Sequence, residues 1–392
     1  MKLVKLKDVC EFINGDRGKN YPKSNEFVDS GIPFINAGHI KESRIDFSKM
    51  NYISEEVFEK LGSGKIQTGD VLFCLRGSLG KNAIINFDKG AIASSLVILR
   101  NKNKSTLNTA YLMFVLNSQI IFSQIYRANN GSSQPNLSAK SVKEFVIPLP
   151  DIEYQKKVVK VLDLAQGSIN KRKQQIEELE QLAKSMFLKL FGDPIVTKWN
   201  LIKLQEITDV RDGTHDSPKY VEEGFPLVTS KNIKDGNIDL ENVSYISEED
   251  YININKRSKV EINDIIMPMI GTIGNPVIVK NEPEFAIKNV ALIKFNSDSP
   301  INNIYLKYLL NSHYLENVLA RNRRGGTQKF LSLKDIRNMM IPVPPLELQR
   351  KFVEIIDEIN RNKDILNNSL NEKNDYFNSI MQRVFNGELF RD

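Results

Sequence analysis

The chain has 392 residues, 41% of them hydrophobic and 26% charged, which is enough apolar material for more than one core, so two or three domains are expected. Its longest apolar stretch, residues 265–279, is broken by Pro, Gly, Thr and Asn and is too short to span a bilayer; no charged-then-apolar leader precedes Val4, and Cys10 and Cys74 are the only cysteines, so a reducing cytoplasm without a membrane partner is the expected compartment. A net charge of +6 with a pI near 8.9 is compatible with a nucleic-acid partner without requiring one.

Taken in order, the chain repeats itself. Leu3-Val4-Lys5-Leu6 returns as Leu201-Ile202-Lys203-Leu204, an amphipathic segment that predicts a strand or turn running into a short helix. Ile32-Pro33-Phe34-Ile35 returns as Phe225-Pro226-Leu227-Val228, and Tyr52-Ile53-Ser54-Glu55-Glu56 as Tyr245-Ile246-Ser247-Glu248-Glu249, where Ser54 and Ser247 are placed to cap acidic-started helices. Gly69-Asp70-Val71-Leu72 with Gly77 and Gly80 corresponds to Asn263-Asp264-Ile265-Ile266 with Gly271 and Gly274, read as strand, glycine turn, strand. Tyr111-Leu112 with Asn117-Ser118 matches Tyr305-Leu306 with Asn311-Ser312 on helices of about three turns. Gly131-Ser132-Ser133-Gln134 matches Gly325-Gly326-Thr327-Gln328, and Ser138 and Ser332 read as helix N-caps, the second reinforced by Asp335.

Each copy ends in a long helix, expected over residues 150–193 and 344–392. Gln155 and Gln349 lie 194 positions apart (349 minus 155), as do Phe191 and Phe385. In the first helix Leu162, Ala165, Ile169, Ile176, Leu179, Ala183, Met186 and Leu190 recur at steps of three and four, with Arg172 the charged member; in the second, Ile356, Ile359, Leu366, Leu370, Phe377, Ile380 and Val384 keep the register, with Lys363 and Lys373 as breaks. Such seams are most easily covered by each other. Gly167-Ser168 is a candidate bend in the first helix, and the many Asn of the second lower its propensity and leave its continuity open. The expected fold class is α+β: two similar mixed α/β domains separated by two long antiparallel helices forming a coiled coil, with pseudo-two-fold symmetry.

Three motifs carry a family resemblance. They are Gly-Asp followed by a glycine turn, Gly-x-x-Gln near the end of each domain, and Ile-Pro-x-Pro-x-x-x-x-Gln opening each helix, here Ile147-Pro148-Leu149-Pro150 to Gln155 and Ile341-Pro342-Val343-Pro344 to Gln349. In their duplicated order they resemble the specificity subunit of type I DNA restriction-modification systems over the whole chain. The resemblance implies target recognition domains at 1–149 and 194–343, conserved-region helices at 150–193 and 344–392, and a noncatalytic role. Such a subunit reads a bipartite double-stranded DNA target, one half-site per domain; its helices set the spacer and dock two methyltransferase subunits, and restriction/translocase subunits join the complex. It holds no cofactor itself; S-adenosylmethionine and ATP belong to the partner subunits. The rival reading is a structural coiled-coil spacer whose globular ends bind protein or glycan.

A catalytic reading finds little material. There is no Asn-Pro-Pro-aromatic segment, since Asn275-Pro276-Val277 lacks the second Pro and the aromatic, and no glycine-rich cofactor turn. Gly62-Ser63-Gly64-Lys65-Ile66 lacks the upstream Gly and the final Ser or Thr of a phosphate loop. His39, His215 and His313 are isolated and two separated cysteines make no zinc site, so no metal is expected.

Base reading needs Arg, Lys, Asn, Gln, Ser or Thr on loops, with other groups on phosphate. The candidates in the first domain are Arg17, Lys19, Asn20, Asn36, His39, Arg76, Ser78, Lys81, Ser133, Gln134 and Asn136. Those in the second are Arg211, Thr214, His215, Ser230, Lys231, Thr272, Asn275, Arg323, Arg324, Thr327, Gln328 and Lys329, the 321–329 stretch being the densest basic loop. Specificity is expected where the copies diverge. The pairs Gln134 and Gln328, Asp70 and Asp264, and Ser138 and Ser332 are shared, and read as structural or phosphate-positioning groups.

Overall fold

The structure is a computed structural model that describes residues 1–128, 136–234, 236–270, 273–321 and 331–389. It divides into two units, Met1–Lys173 with Asn368–Asp392, and Gln174–Asn367.

In the first unit an antiparallel sheet has the order Cys10–Asn14, Leu96–Asn101, Val71–Cys74, Asn82–Ile84. Val71–Cys74 is apolar at every position because it is covered on both faces, the condition under which a strand loses its polar alternation. Val71 and Phe73 pack against Tyr111, Leu112 and Val115 of helix Thr109–Leu116. Leu72 and Cys74 face Ile35 and Ile92 of a second, mixed sheet ordered Ala91–Ile92, Ile32–Ile35, Asn51–Ile53, Phe27–Val28. A ribbon pairing Lys2–Lys5 with Val146–Leu149 delivers the chain to the long helix.

The second unit has the same topology. Asp209–Asp212, Val290–Lys294, Ile265–Pro268 and Val277–Ile278 form the first sheet, Tyr220–Val221, Ser244–Ile246, Phe225–Val228 and Ala286–Ile287 the second, and Asn200–Lys203 pairs with Met340–Val343. The four serines read as caps all cap: the hydroxyls of Ser54, Ser138, Ser247 and Ser332 accept from the backbone N–H three residues on, and Asp335 completes a capping box with Ser332.

The long helices run Ile152–Phe191 and Leu346–Phe385, 40 residues each and unbroken. The Asn-rich stretch does not interrupt the second, because Phe352, Ile356 and Ile359 near its start and Ile380, Val384 and Phe385 near its end are buried, and packing outweighs a propensity deficit of about 0.5 kcal/mol per residue. Gly192, at φ 78°, ends the first helix in a left-handed conformation with its N–H on the Leu188 carbonyl, and the Trp199 indole donates to the Phe191 carbonyl at 2.9 Å.

Within each unit, segments of the two helices pair antiparallel. In the first, the Tyr154 hydroxyl donates to the carbonyls of Val384 and Leu389 and Lys373 Nζ to Ser168 Oγ at 2.7 Å; in the second, Lys363 Nζ meets Glu180 Oε1 at 2.7 Å. Lys363 and Lys373, the breaks in the heptad series, therefore each reach across to the other helix. Mutual coverage is only part of the answer. Val158, Leu162, Ile380, Met381 and Val384 join the same core as Tyr111 and Val71, and Ala183, Phe187, Phe191, Phe352 and Ile356 join that of Tyr305 and Ile265. The helix ends are embedded in the domains and the middle of the seam is only half-buried.

Two of the shared motifs are built into the framework, while Gln134 and Gln328 of the third lie outside the described residues. Gln155 and Gln349 are fully buried. Gln155 Oε1 accepts from Asn108 N–H at 2.8 Å while Nε2 donates to the carbonyls of Thr106 and Pro150; Gln349 repeats this with Asn302 N–H and the carbonyls of Pro300 and Pro344. Asp70 closes its own turn by accepting from Gln67 N–H and takes Arg100 through both carboxylate oxygens at 2.9 Å; Asp264 likewise closes its turn on Glu261 N–H and takes Lys294 through Oδ2 at 2.7 Å. The Gly-Asp motif thus fixes a strand entry.

Candidate nucleic-acid interface

In the first unit the candidate loops leave the end of strand Cys10–Asn14. A Cβ on Gly15 would lie 2.6 Å from the Ala93 carbonyl oxygen, so only glycine lets the loop cross the neighbouring strand's exit. Asp16 then accepts from Arg17 N–H at 2.7 Å and from Gly62 N–H at 2.7 Å, and Ser63 Oγ donates to the Asn14 carbonyl. The Gly62–Lys65 stretch, which faintly resembled a phosphate loop, is thereby a brace for the Arg17 loop.

Arg17, Arg76 and Asn136 line one cleft of ≈ 430 Å³, with Arg76 and Asn136 joined as an antiparallel bridge. Arg17, Lys19, Arg76, Ser78, Lys81 and Asn136 are exposed and Asn20 is half-buried. The Arg76 turn is held by Gly77 and Gly80, both with φ near 80°, and by Gly80 N–H on the Cys74 carbonyl.

His39 is engaged within its own turn. It is 6% exposed, its Nδ1 accepts from Asn36 N–H at 3.1 Å and its Nε2 bonds the Lys49 carbonyl at 3.0 Å; burial pushes its pKa down. Asn36 spends its Oδ1 on Gly38 N–H. The second unit confirms a framework role, since buried Asn232 at the corresponding position accepts from Thr229 N–H and donates to the Asp239 and Asn242 carbonyls. Both side chains staple a turn to a segment about ten residues on.

In the second unit Gly213 repeats the close crossing, its added Cβ falling 2.4 Å from the Ile287 carbonyl oxygen. The following loop carries a polar network: Asp212 pairs with Arg257 and with His215 Nε2 at 2.8 Å, and His215 Nδ1 meets Asn289 Oδ1 at 2.9 Å. Lys288 reaches Ser217, and its backbone forms a parallel bridge with Thr214. Arg211 is folded back on Asp209 and on the Arg257 carbonyl, which removes most of its donors from service to a ligand. Ser230 is half-buried, Lys231 exposed, and Asn275 exposed in a left-handed turn at φ 51°. Ser133, Gln134, Thr272, Arg323, Arg324, Thr327, Gln328 and Lys329 lie outside the described residues.

Sequence reading missed Arg257, Lys288 and Asn289. At the 198-position offset that aligns Leu3 with Leu201, Gly15 falls on Gly213 and Arg17 on His215. One scaffold thus presents Arg in one unit and His in the other at the same loop position.

The hydrogen bonds to Asn289 and Asp212 raise the His215 pKa above 6.5, and both partners can accept from a doubly protonated ring. The stabilisation this network gives is therefore complete below the unfolded value near 6.5 and is lost as pH rises through the raised folded value. An NMR titration is expected to place the His215 pKa above 6.5 and Asp212→Asn to lower it; a wild-type value at or below 6.5 contradicts the network.

Among the described residues no group of three or more His, Cys, Asp or Glu is placed to hold a metal, and no helix is long and apolar enough to cross a membrane. Residues 1–181 and 197–373 match the family described as the type I restriction modification DNA specificity domain, and the chain belongs to that family. It is 26% identical to the type I restriction enzyme MjaVIII specificity subunit of Methanocaldococcus jannaschii, over 99% of this chain and 92% of that protein. It is 20% identical to the EcoKI specificity subunit of Escherichia coli K12, over 95% and 86%. In fold it is similar to a chain from work on complex assembly and conformational transition of the type I R-M system, with TM-score 0.58, 20% identity and coverage of 99% and 98%. It is also similar to the type I restriction-modification S subunit of M. genitalium, with TM-score 0.51, 17% identity and coverage of 98% and 96%.

Proposed function

We propose that this chain is the DNA-reading, noncatalytic subunit of a type I restriction-modification complex, in which each domain reads one half of a bipartite duplex target. The observation that carries this reading is the contrast between framework and loops. Both units use the same topology, the same buried Gln and the same Asp-anchored strand entry, yet expose different polar groups at corresponding loop positions, as Arg17 and His215 illustrate. A spacer protein with no sequence to read gives no reason for that division. A bidentate arginine to guanine supplies about 1 to 3 kcal/mol of discrimination, so a few exchanged side chains suffice to redirect a half-site.

The long helices set the separation of the half-sites and their outward faces dock two methyltransferase subunits. Restriction/translocase subunits join that assembly, and S-adenosylmethionine and ATP are held by the partners. The test is coexpression with a methyltransferase encoded beside it. Copurification of the two chains, with protection of a specific duplex by the assembled complex, is expected. A chain that recruits neither methyltransferase nor duplex overturns the proposal.

A further inference from the structure

The second unit contains a cleft of ≈ 660 Å³ where helix Asn303–Leu310 meets the two long helices. Four lysines line it, Lys184, Lys280, Lys307 and Lys363, against the carboxylates of Glu180 and Asp364. Glu180 is already committed to Lys363. Lys307 is half-buried, and among the described residues its ammonium has no hydrogen bond or ion pair. Burial, with Lys280 and Lys363 adding like charge, holds its pKa below the ordinary lysine value. An unpaired ammonium sunk beside two others is an unfavourable arrangement in the free protein.

The scaffold does not demand it. At the repeat offset of 194 positions, Lys307 corresponds to Met113, Lys280 to Asn86, Lys363 to Ile169 and Lys184 to Asn378. In the first unit Met113 packs partly buried against the core and Ile169 is buried. The same framework is built once without a single positive charge at these four places, so folding does not require Lys307, Lys280 or Lys184, and Lys363 serves it only through its pair with Glu180.

We propose that this cleft is a phosphate-binding site, with Lys307 at its base and Lys280 as its flanking cation. Converging ammoniums match a multiply charged oxyanion better than a single carboxylate, and each acts as a point charge without the fixed fork that a planar carboxylate prefers. The volume lies in the range of small-ligand pockets, about 300 to 1,000 Å³, and is too small to seat a protein helix about 10 Å across. A backbone phosphate of a duplex and a free nucleotide or polyphosphate share this chemistry. Phosphate binding here does not depend on the DNA-reading proposal, because it is measurable without DNA.

The test is calorimetric titration of the full chain with pyrophosphate at low salt, for the wild type, Lys307→Met and Lys280→Asn. Both substitutions install the residue that the first unit uses. Saturable uptake at a single site is expected, weakened about tenfold or more by either change, with the ligand-free melting temperature of Lys307→Met unchanged or raised. Displacement of pyrophosphate by a random-sequence duplex assigns the site to the DNA backbone; displacement by ATP and not by duplex assigns it to a free nucleotide. Absence of saturable uptake, or uptake that survives both substitutions, overturns the proposal. Lys280 is exposed, so its variant keeps the test decisive should Lys307→Met fold poorly.

Discussion

Replacing Gln349 with leucine is expected to destabilise the second unit by about 3 to 5 kcal/mol, because one fully buried side chain satisfies three backbone groups, and each orphaned buried group costs about 1 to 3 kcal/mol. Leucine fills a similar volume, so the loss measures the hydrogen bonds and not a cavity. The lone tryptophan makes the experiment specific. Trp199 lies in the second unit and its indole is bonded to the end of the first long helix, so its fluorescence follows that unit's unfolding. With a urea m-value of about 1 to 3 kcal/mol/M, Gln349→Leu should lower the Trp199 midpoint by about 1 to 5 M. Gln155→Leu, the same lesion in the first unit, should move the circular-dichroism transition and leave the Trp199 transition closer to its original place. A loss below about 1 kcal/mol at both sites means the shared glutamines do not hold the domain-to-helix junctions.

The second large effect is expected on DNA binding. In Gly213→Ala the new methyl meets the Ile287 carbonyl oxygen at 2.4 Å, its carbon at 2.5 Å and the Lys288 nitrogen at 2.8 Å, all backbone atoms of a paired strand. Nothing there can rotate away, so the loop carrying Thr214 and His215 has to move and the Arg257–Asp212–His215–Asn289 network has to break. Overpacking of this kind costs about 1 to 3 kcal/mol, which leaves the unit folded. The DNA affinity of the assembled complex should nevertheless fall about tenfold or more, since a loop displaced by a fraction of an ångström misplaces every contact it makes. Competition with duplexes altered in one half-site separates the effects: discrimination should disappear for the half read by the second domain and persist for the other. Unaltered affinity and discrimination would remove this loop from the interface.

The sequence carried the framework because duplication exposes it. A single Gly-Asp, a single Gln or one apolar stripe says little, but the same order repeated at offsets of 193 to 198 positions picked out both long helices, the four capping serines and the shared Asp and Gln pairs. What it did not carry are contacts closed by distant segments. His39 looked like a loop histidine because the Lys49 carbonyl that holds it is supplied by a turn ten residues on. Gly15 and Gly213 looked like ordinary loop glycines because the backbones they graze, at Ala93 and Ile287, are more than seventy residues away. Arg211 counted as a free cation until Asp209 and the Arg257 carbonyl claimed it. The lysine cleft was invisible for the same reason, since its charges come from four separate stretches of the chain. Propensity left the continuity of the second long helix open, and the burial of Phe352, Ile356, Ile380 and Val384 decides it.

The central claim is that two domains on one framework read two different half-sites. Mapping methylated bases across the genome of cells carrying this chain with its methyltransferase tests it most directly, with and without exchange of the 14–20 loop that holds Arg17. The account predicts a bipartite motif with an unspecified spacer, and a variant motif altered in one half alone. A contiguous motif, or a loop exchange that changes both halves together, would contradict it.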